Sequence, residues 1–411
     1  MRDGWKRLSI KEISTVFTDG DWIETKNQAT KGIRLIQTGN VGIGVFKNRK
    51  DKARFISNEV FDKLKCQEVF QGDCLVSRLP DPVGRSCVVP ATEERMITAV
   101  DCTILRFDKS LISSRFFKYY SQSLFYLSDV EDHCTGATRK RISRKNLGKI
   151  TVPLPPLPEQ KRIVAILDEA FAGIEKAMAN TEKNLANAKE LFDSYLFSIF
   201  TACAKNWKTR ELGQVCNIVG GGTPSKNNSA FYDGDIPWAT VRDMRKPILS
   251  RTEFCITQEA VQSSSTNIIP ADNVIIATRV GLGKVCLINQ DTAINQDLRG
   301  IIPKSKELDV NYLFRWLQSV SRKIEDEGTG ATVKGVKLPF IKSLSIPLPP
   351  LPEQIIIVEQ LNELDHGTQR LQSIYQQKIT ALAELKQSLL QKAFSGELTA
   401  DEQLLPAEVA A

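Results

Sequence analysis

The chain has 411 residues, 42% of them hydrophobic and 25% charged, and a formal net charge of +7, which suits two or three domains with proper cores. No run approaches the roughly 18 apolar residues of a membrane span, and Met1–Ile10 is polar and charged, so no signal peptide or membrane partner is expected and a cytoplasmic location is. Nine scattered cysteines without paired spacing read as reduced thiols, and His133 and His366 alone leave little room for histidine catalysis or a metal site.

Residues 1–151 read as a mixed α/β domain. Short β-rich runs at Arg34–Gln37, Cys74–Arg78, Ser86–Val89 and Cys102–Phe107 are separated by Gly, Asp and Pro, and one amphipathic helix is expected over Ser113–Tyr126. Residues 152–203 form an elbow, Pro153-Leu-Pro-Pro-Leu-Pro-Glu-Gln160, and a long helix starting near Glu159. The prolines fix φ and exclude helix, so the elbow should be extended and stiff. The apolar stripe behind it runs Ile163, Leu167, Ala170, Ile174, Ala177, Thr181, Leu185, Ala188, Phe192, Tyr195, Ile199.

Residues 204–345 repeat the order of the first domain. Trp207-Lys stands for Trp5-Lys, Val274–Arg279 for Cys74–Arg78, Gly283–Leu287 for Gly84–Val88, and Asn311–Gln318 for the aromatic helix. Residues 346–396 repeat the elbow as Pro347–Gln354, 194 residues on, and a gapless match runs from Thr135-Gly-Ala-Thr138 and Thr329-Gly-Ala-Thr332 to Phe200 and Phe394. The second stripe is Ile357, Leu361, Leu364, Thr368, Leu371, Tyr375, Ile379, Leu382, Leu385, Leu389, Ala393. Steps of three and four over some forty residues predict an antiparallel coiled coil, with Ile163 near Ala393, Ile199 near Ile357, and Ala170 facing Leu385. Ser395-Gly396 should stop the helix, and residues 397–411 read as a flexible tail. The fold class is therefore α+β: two similar mixed domains, two long paired helices and a pseudo-two-fold internal repeat.

Charge follows the repeat. Residues 1–150 carry a net +9, 151–200 a net −2, 201–345 a net +5 and 346–411 a net −5. Basic domains suit a polyanion and alternate with acidic helices.

A duplicated elbow with its Glu-Gln, the Thr-Gly-Ala-Thr stretch before it and the helix ending Lys392-Ala-Phe-Ser-Gly-Glu-Leu398 together resemble the specificity subunit of type I restriction–modification systems. The resemblance covers the whole chain. It implies two target recognition domains, each reading one half of a bipartite double-stranded DNA sequence, with the paired helices as spacer and as docking surface. The implied partners are two modification (methyltransferase) subunits and restriction/translocase subunits. S-adenosylmethionine, ATP and Mg are expected on those partners, and no cofactor in this chain.

The residues agree that this chain is not itself an enzyme. There is no G-x-x-x-x-G-K-[ST] loop; Gly42-Ile-Gly44 and Gly220-Gly-Gly222 are wrongly followed for a nucleotide or methyl-donor loop; and Pro155-Pro156 sits between leucines, unlike a methyltransferase Asn/Asp-Pro-Pro-aromatic motif. Asp73 and Asp101 lack a Glu-x-Lys partner and read as strand-end acids.

Sequence reading needs donors and acceptors on loops, with Lys and Arg on phosphates. The candidates in the first domain are Gln37, Thr38, Asn40, Lys47, Arg78, Arg85, Thr138, Arg139, Lys140 and Arg141. In the second they are Thr223, Ser225, Trp238, Thr240, Arg242, Arg279, Lys284, Asn295, Gln296, Thr332 and Lys334. Arg78 and Arg279 share one place, a strand end before a glycine-bearing loop; Trp238 fits a core position equally well. A coiled-coil scaffold without DNA, or the specificity chain of another DNA-modification system, remain alternatives.

Overall fold

The computed structural model describes residues 4–136, 139–202, 207–330 and 333–400, so the candidates Thr138 and Thr332 lie outside the described residues. The chain forms two compact units, Met1–Thr181 with Gln377–Ala411, and Glu182–Gln376. Their boundary falls inside both long helices, Leu157–Ala202 and Leu351–Ser395. Among the described residues no helix is long and apolar enough to cross a membrane.

The first unit holds two four-stranded sheets. One orders Ser14–Asp19, Cys102–Phe107, Cys74–Ser77 and Ser86–Val88, all antiparallel. The other orders Arg54–Ile56, Ile33–Ile36, Met96–Thr98 and Glu68–Val69, with Ile33–Ile36 and Met96–Thr98 parallel. Their central strands are buried on nearly every residue, so they read as continuous apolar runs. Ile36, Leu75, Met96 and Ile104 belong to one apolar cluster that joins the sheets.

The single aromatic helix expected over Ser113–Tyr126 is two helices, Ser114–Tyr120 and Leu124–Asp132. Ser123 causes the break. Its Oγ donates to the Tyr120 carbonyl at 2.7 Å and accepts from the Tyr126 amide at 3.4 Å, so it caps a new helix instead of continuing the old one.

The first half of the elbow is extended, as its prolines dictate, and also paired, whereas residues 157–160 are already helix. Thr151–Leu154 lies antiparallel to Lys6–Ser9, with Pro153 opposite Arg7, and this two-stranded ribbon tolerates a residue without an N–H. The helix then starts at Leu157, two residues before Glu159, with Pro158 in the first turn where no amide is needed. Gln160 explains the motif's last letter. It is fully buried, accepts from the Ser113 amide at 3.0 Å, and donates to the carbonyls of Leu111 (2.8 Å) and Pro155 (3.0 Å). One side chain thus ties domain, elbow and helix together.

The second unit is built alike. Cys216–Gly220, Leu298–Pro303, Asn273–Ala277, Val285–Ile288 and Ile248–Leu249 form one sheet, and Phe254–Ile256, Ile236–Ala239, Thr292–Ile294 and Asn267–Ile269 the other. Ser345–Leu348 pairs Lys208–Glu211. Gln354, again fully buried, accepts from the Asp309 amide (2.9 Å) and donates to Glu307 (2.8 Å) and Pro349 (2.9 Å).

Each unit places the start of one long helix in a core with the end of the other, which is the antiparallel arrangement. In the first, Ile163, Leu167, Phe171 and Ile174 share a cluster with Leu390, Ala393 and Phe394, and Phe394 meets Phe116 and Tyr120 edge-on at 5.3 and 5.2 Å. In the second, Leu196, Ile199 and Phe200 share a cluster with Ile357, Val358 and Leu361, and Phe200 meets Tyr312 at 5.4 Å. Three stripe positions depart from expectation: Tyr195, Leu371 and Leu385 are exposed. A 3.6-residue helix drifts about 20° per heptad against a strict 3.5 repeat, so the buried face passes from Tyr195 to Leu196 and from Leu385 toward Lys386. Lys386 Nζ stands 4.6 Å over the Phe171 ring instead.

The helix ends at Ser395, with Gly396 at φ +90° as its left-handed cap. Of residues 397–400, expected to begin a flexible tail, Leu398 and Thr399 are packed. Thr399 is buried and its hydroxyl donates to Glu159 Oε1 at 2.8 Å, while Leu398 joins the first unit's core.

Candidate nucleic-acid interface

Each of the two mixed domains carries a cleft in the same place. Register fixes the correspondence: Leu35 lies opposite Arg54 in the first domain as Trp238 lies opposite Phe254 in the second. The loop leaving the inner strand is built the same way in both. Asn40 Oδ1 accepts from the Gln37 amide at 2.9 Å, and Asp243 Oδ2 accepts from the Thr240 amide at 2.8 Å. A short side-chain acceptor three residues on closes the turn in each case, at little cost to the backbone.

The first cleft, about 620 Å³, is lined by Gln37, Thr38, Asn40, Arg49, Lys52 and Arg54. Asn40 is inward and structural, since its Nδ2 donates to the Lys47 carbonyl at 2.9 Å. Lys47 is exposed beside it. Arg49, Lys52 and Arg54 were not among the sequence candidates. Their signal was present as a cationic run, Lys47, Arg49, Lys50, Lys52 and Arg54, all exposed and interrupted by one acid, Asp51.

Arg85 fastens this cleft to the neighbouring loop. Its guanidinium donates to the carbonyls of Val41 (2.7 Å), Leu79 (2.7 Å), Thr38 (2.9 Å) and Pro82 (3.1 Å). Arg78 is likewise turned inward. It donates to the Val100 carbonyl at 2.6 Å and pairs with Asp19 at 3.2 Å and Asp101 at 3.9 Å. Burial pushes the Arg78 guanidinium below its ordinary pKa, with Asp19 opposing. Both arginines therefore shape the surface; their side chains are spent on internal acceptors. Arg141 pairs with Asp101 at 2.8 Å, Lys140 pairs with Glu131, and Arg139 is exposed. Asp73, the other strand-end acid, takes two hydrogen bonds from Arg106, each 2.8 Å.

The second cleft, about 710 Å³, brings together Thr223, Trp238, Thr240, Arg242, Asn295 and Gln296. Trp238 is mostly buried; its Nε1 donates to the Gly222 carbonyl at 3.2 Å and its ring meets Tyr232 edge-on at 5.8 Å. Asn295 is buried, donating to Asp297 Oδ2 at 3.1 Å, and Thr223 hydrogen-bonds Gln296. Arg279 differs from Arg78. Its backbone amide meets Asp297 as Arg78's meets Asp101 (3.3 and 2.9 Å), but its side chain is 50% exposed and 3.7 Å from the Asp297 carboxylate. Ser225, Lys284 and Lys334 are exposed outside the cleft lining. Sequence reading missed Lys226, Tyr232, Phe254 and Val280 in this wall, and the exposed Arg245, Lys246 and Arg251 on the adjoining loop.

Two matches to the model described as "Type I restriction modification DNA specificity domain" cover residues 2–184 and 204–381. The chain is 35% identical over 241 residues to the type I restriction enzyme EcoR124I/EcoR124II specificity subunit of Escherichia coli, which spans 55% of this chain and 58% of that relative, less than two thirds of its length. It is 22% identical to the EcoBI specificity subunit, also of Escherichia coli, over 97% of this chain and 87% of the other. Among solved structures, a chain from a study of complex assembly in the type I R-M system superposes with a TM-score of 0.81 at 19% identity, covering 97% of this chain and 99% of that one. The HsdS subunit from Thermoanaerobacter tengcongensis gives 0.63 at 18%, over 97% and 98%; both likenesses concern the fold. The two family-model matches together span most of the chain, one on each side of the internal repeat, and the chain belongs to the type I restriction–modification DNA specificity family.

Proposed function

We propose that this chain is the non-catalytic reader of a bipartite double-stranded DNA target, one half-site per recognition domain. In this reading it positions two adenine-methylating modification subunits, and restriction/translocase subunits join them. S-adenosylmethionine, ATP and Mg belong to those partners. The observation that carries the reading is the pair of corresponding clefts, each flanked by an exposed cationic loop: Lys47 to Arg54 in one domain, Arg242 to Arg251 in the other. Exposed Lys and Arg beside a polar cleft is the arrangement that phosphate contacts plus base-edge reading require.

The test is methylation profiling of the host genome with and without this chain, alongside binding of the purified chain to mixed-sequence duplex at several salt concentrations. A split motif that disappears with the chain, and affinity that falls steeply with salt, are the expected results. Binding indifferent to salt would favour a protein scaffold, and methyl transfer by the chain alone would refute the non-catalytic role.

A further inference from the structure

The two clefts occupy one place in two similar domains yet carry opposite chemistry. Arg54 and Phe254 are equivalents: each opens its strand and lies opposite the inner strand's third residue. In the first domain Arg54 is exposed and joins Arg49, Lys52 and Gln37 around the cleft. In the second domain the part of the wall at this position is apolar. Phe254 is 44% exposed and Val280, across the same cleft, 51%. Val280 holds φ +43°, a conformation that strains a β-branched residue, and its exposed side chain gains no core burial to offset that. The charged residues around this wall are mixed, Lys226 and Arg242 with Glu253 and Asp297.

We propose that this position sets one base preference in each half-site: guanine for the first domain through Arg54, and thymine for the second through contact of Phe254 and Val280 with its methyl group. The inference rests on the DNA-reading function above. In the major groove guanine offers two acceptors that match a guanidinium fork, and thymine alone offers a methyl. Phe254 has no donor, so a guanine there would leave both acceptors unmet. Arg54 has no acceptor, so it cannot pair with the amino groups of adenine or cytosine.

The full chain assembled with its modification subunits is measured on its own target by equilibrium binding. Each guanine of the first half-site is replaced in turn by 7-deazaguanine, and each thymine of the second by uracil, which lacks the methyl. One guanine replacement should weaken binding about tenfold, and one thymine replacement about fourfold, the worth of a buried methyl. Arg54→Ala should erase the first sensitivity and Phe254→Ala the second, with the thermal unfolding midpoint kept as the control for folding. Val280→Gly, which suits the positive φ, should retain the fold and lose part of the thymine sensitivity. Specific binding that no replacement affects, or sensitivities that persist in the variants, would overturn the assignment while leaving DNA reading intact. Binding with no sequence preference at all would overturn both.

Discussion

Arginines at matching chain positions have different duties here, and burial separates them. Arg85 satisfies four backbone carbonyls at once, so Arg85→Ala should cost about 3 kcal/mol in denaturant unfolding, the scale of a buried network left without its donor. Arg78→Ala should also destabilise, by roughly 2–3 kcal/mol, because Asp19 and the Val100 carbonyl lose their partner. Arg279→Ala should instead leave stability within about 0.5 kcal/mol and weaken DNA binding by about 1–3 kcal/mol if its fork meets guanine. A stable Arg78→Ala chain with impaired base preference would reverse this division of labour. Thiols follow the same logic. Burial raises Cys74, Cys102 and Cys216 to about 12, and Cys66 and Cys286 to about 11. At pH 8 they stay protonated, and burial raises Cys134 too, so access decides: among the described cysteines a thiol reagent should label native protein first at the half-buried Cys134 and Cys255.

At the level of elements, the duplication is chemical as well as topological. Leu390, Ala393 and Phe394 fill the first unit's core as Leu196, Ile199 and Phe200 fill the second's, at the same 194-residue offset. A half-chain of residues 1–203 lacks the first triplet but carries the second, so two copies can each complete the other's core. We expect it to dimerise in sedimentation experiments, and Phe200→Ala to shift it toward monomer. A folded half-chain that stays monomeric at high micromolar concentration would count against this equivalence. The joints repeat too: Gln160 and Gln354, both buried, each make three hydrogen bonds across domain, elbow and helix. Gln354→Ala should cost about 2–3 kcal/mol, since two carbonyls and one amide are left dry.

For the whole molecule, separability is the property to test. Each mixed domain has its own sheets, core and cleft, and each is fixed to its helix by its own elbow glutamine. Replacing residues 204–345 with the equivalent block of a relative should change one half of the methylated motif and leave the other untouched. Methylation profiling of a host carrying the chimera checks this; a motif altered in both halves would show joint reading.

The sequence by itself determined the duplication, the extended first half of each elbow, the helix stop at Gly396 and central strands such as Cys74–Ser77 and Cys102–Phe107, because proline and glycine restrict φ locally and an apolar period of 3.6 or 2 is a property of neighbouring residues. It also carried the family, through the elbow motif and the helix that follows it. It placed Gln37, Thr38, Thr240, Arg242 and Gln296 on loops that do line the two clefts. What only the tertiary structure decided was which side chains face inward. Asp19 and Val100 are 59 and 22 residues from Arg78 in sequence, and their arrival around it turns a plausible reading residue into a buried strut. Phe254 and Val280 carry no local signal, and the fold brings them to one cleft wall. Burial and charge pairing depend on long-range neighbours, and those are set by how the sheets fold together rather than by any local run of the chain.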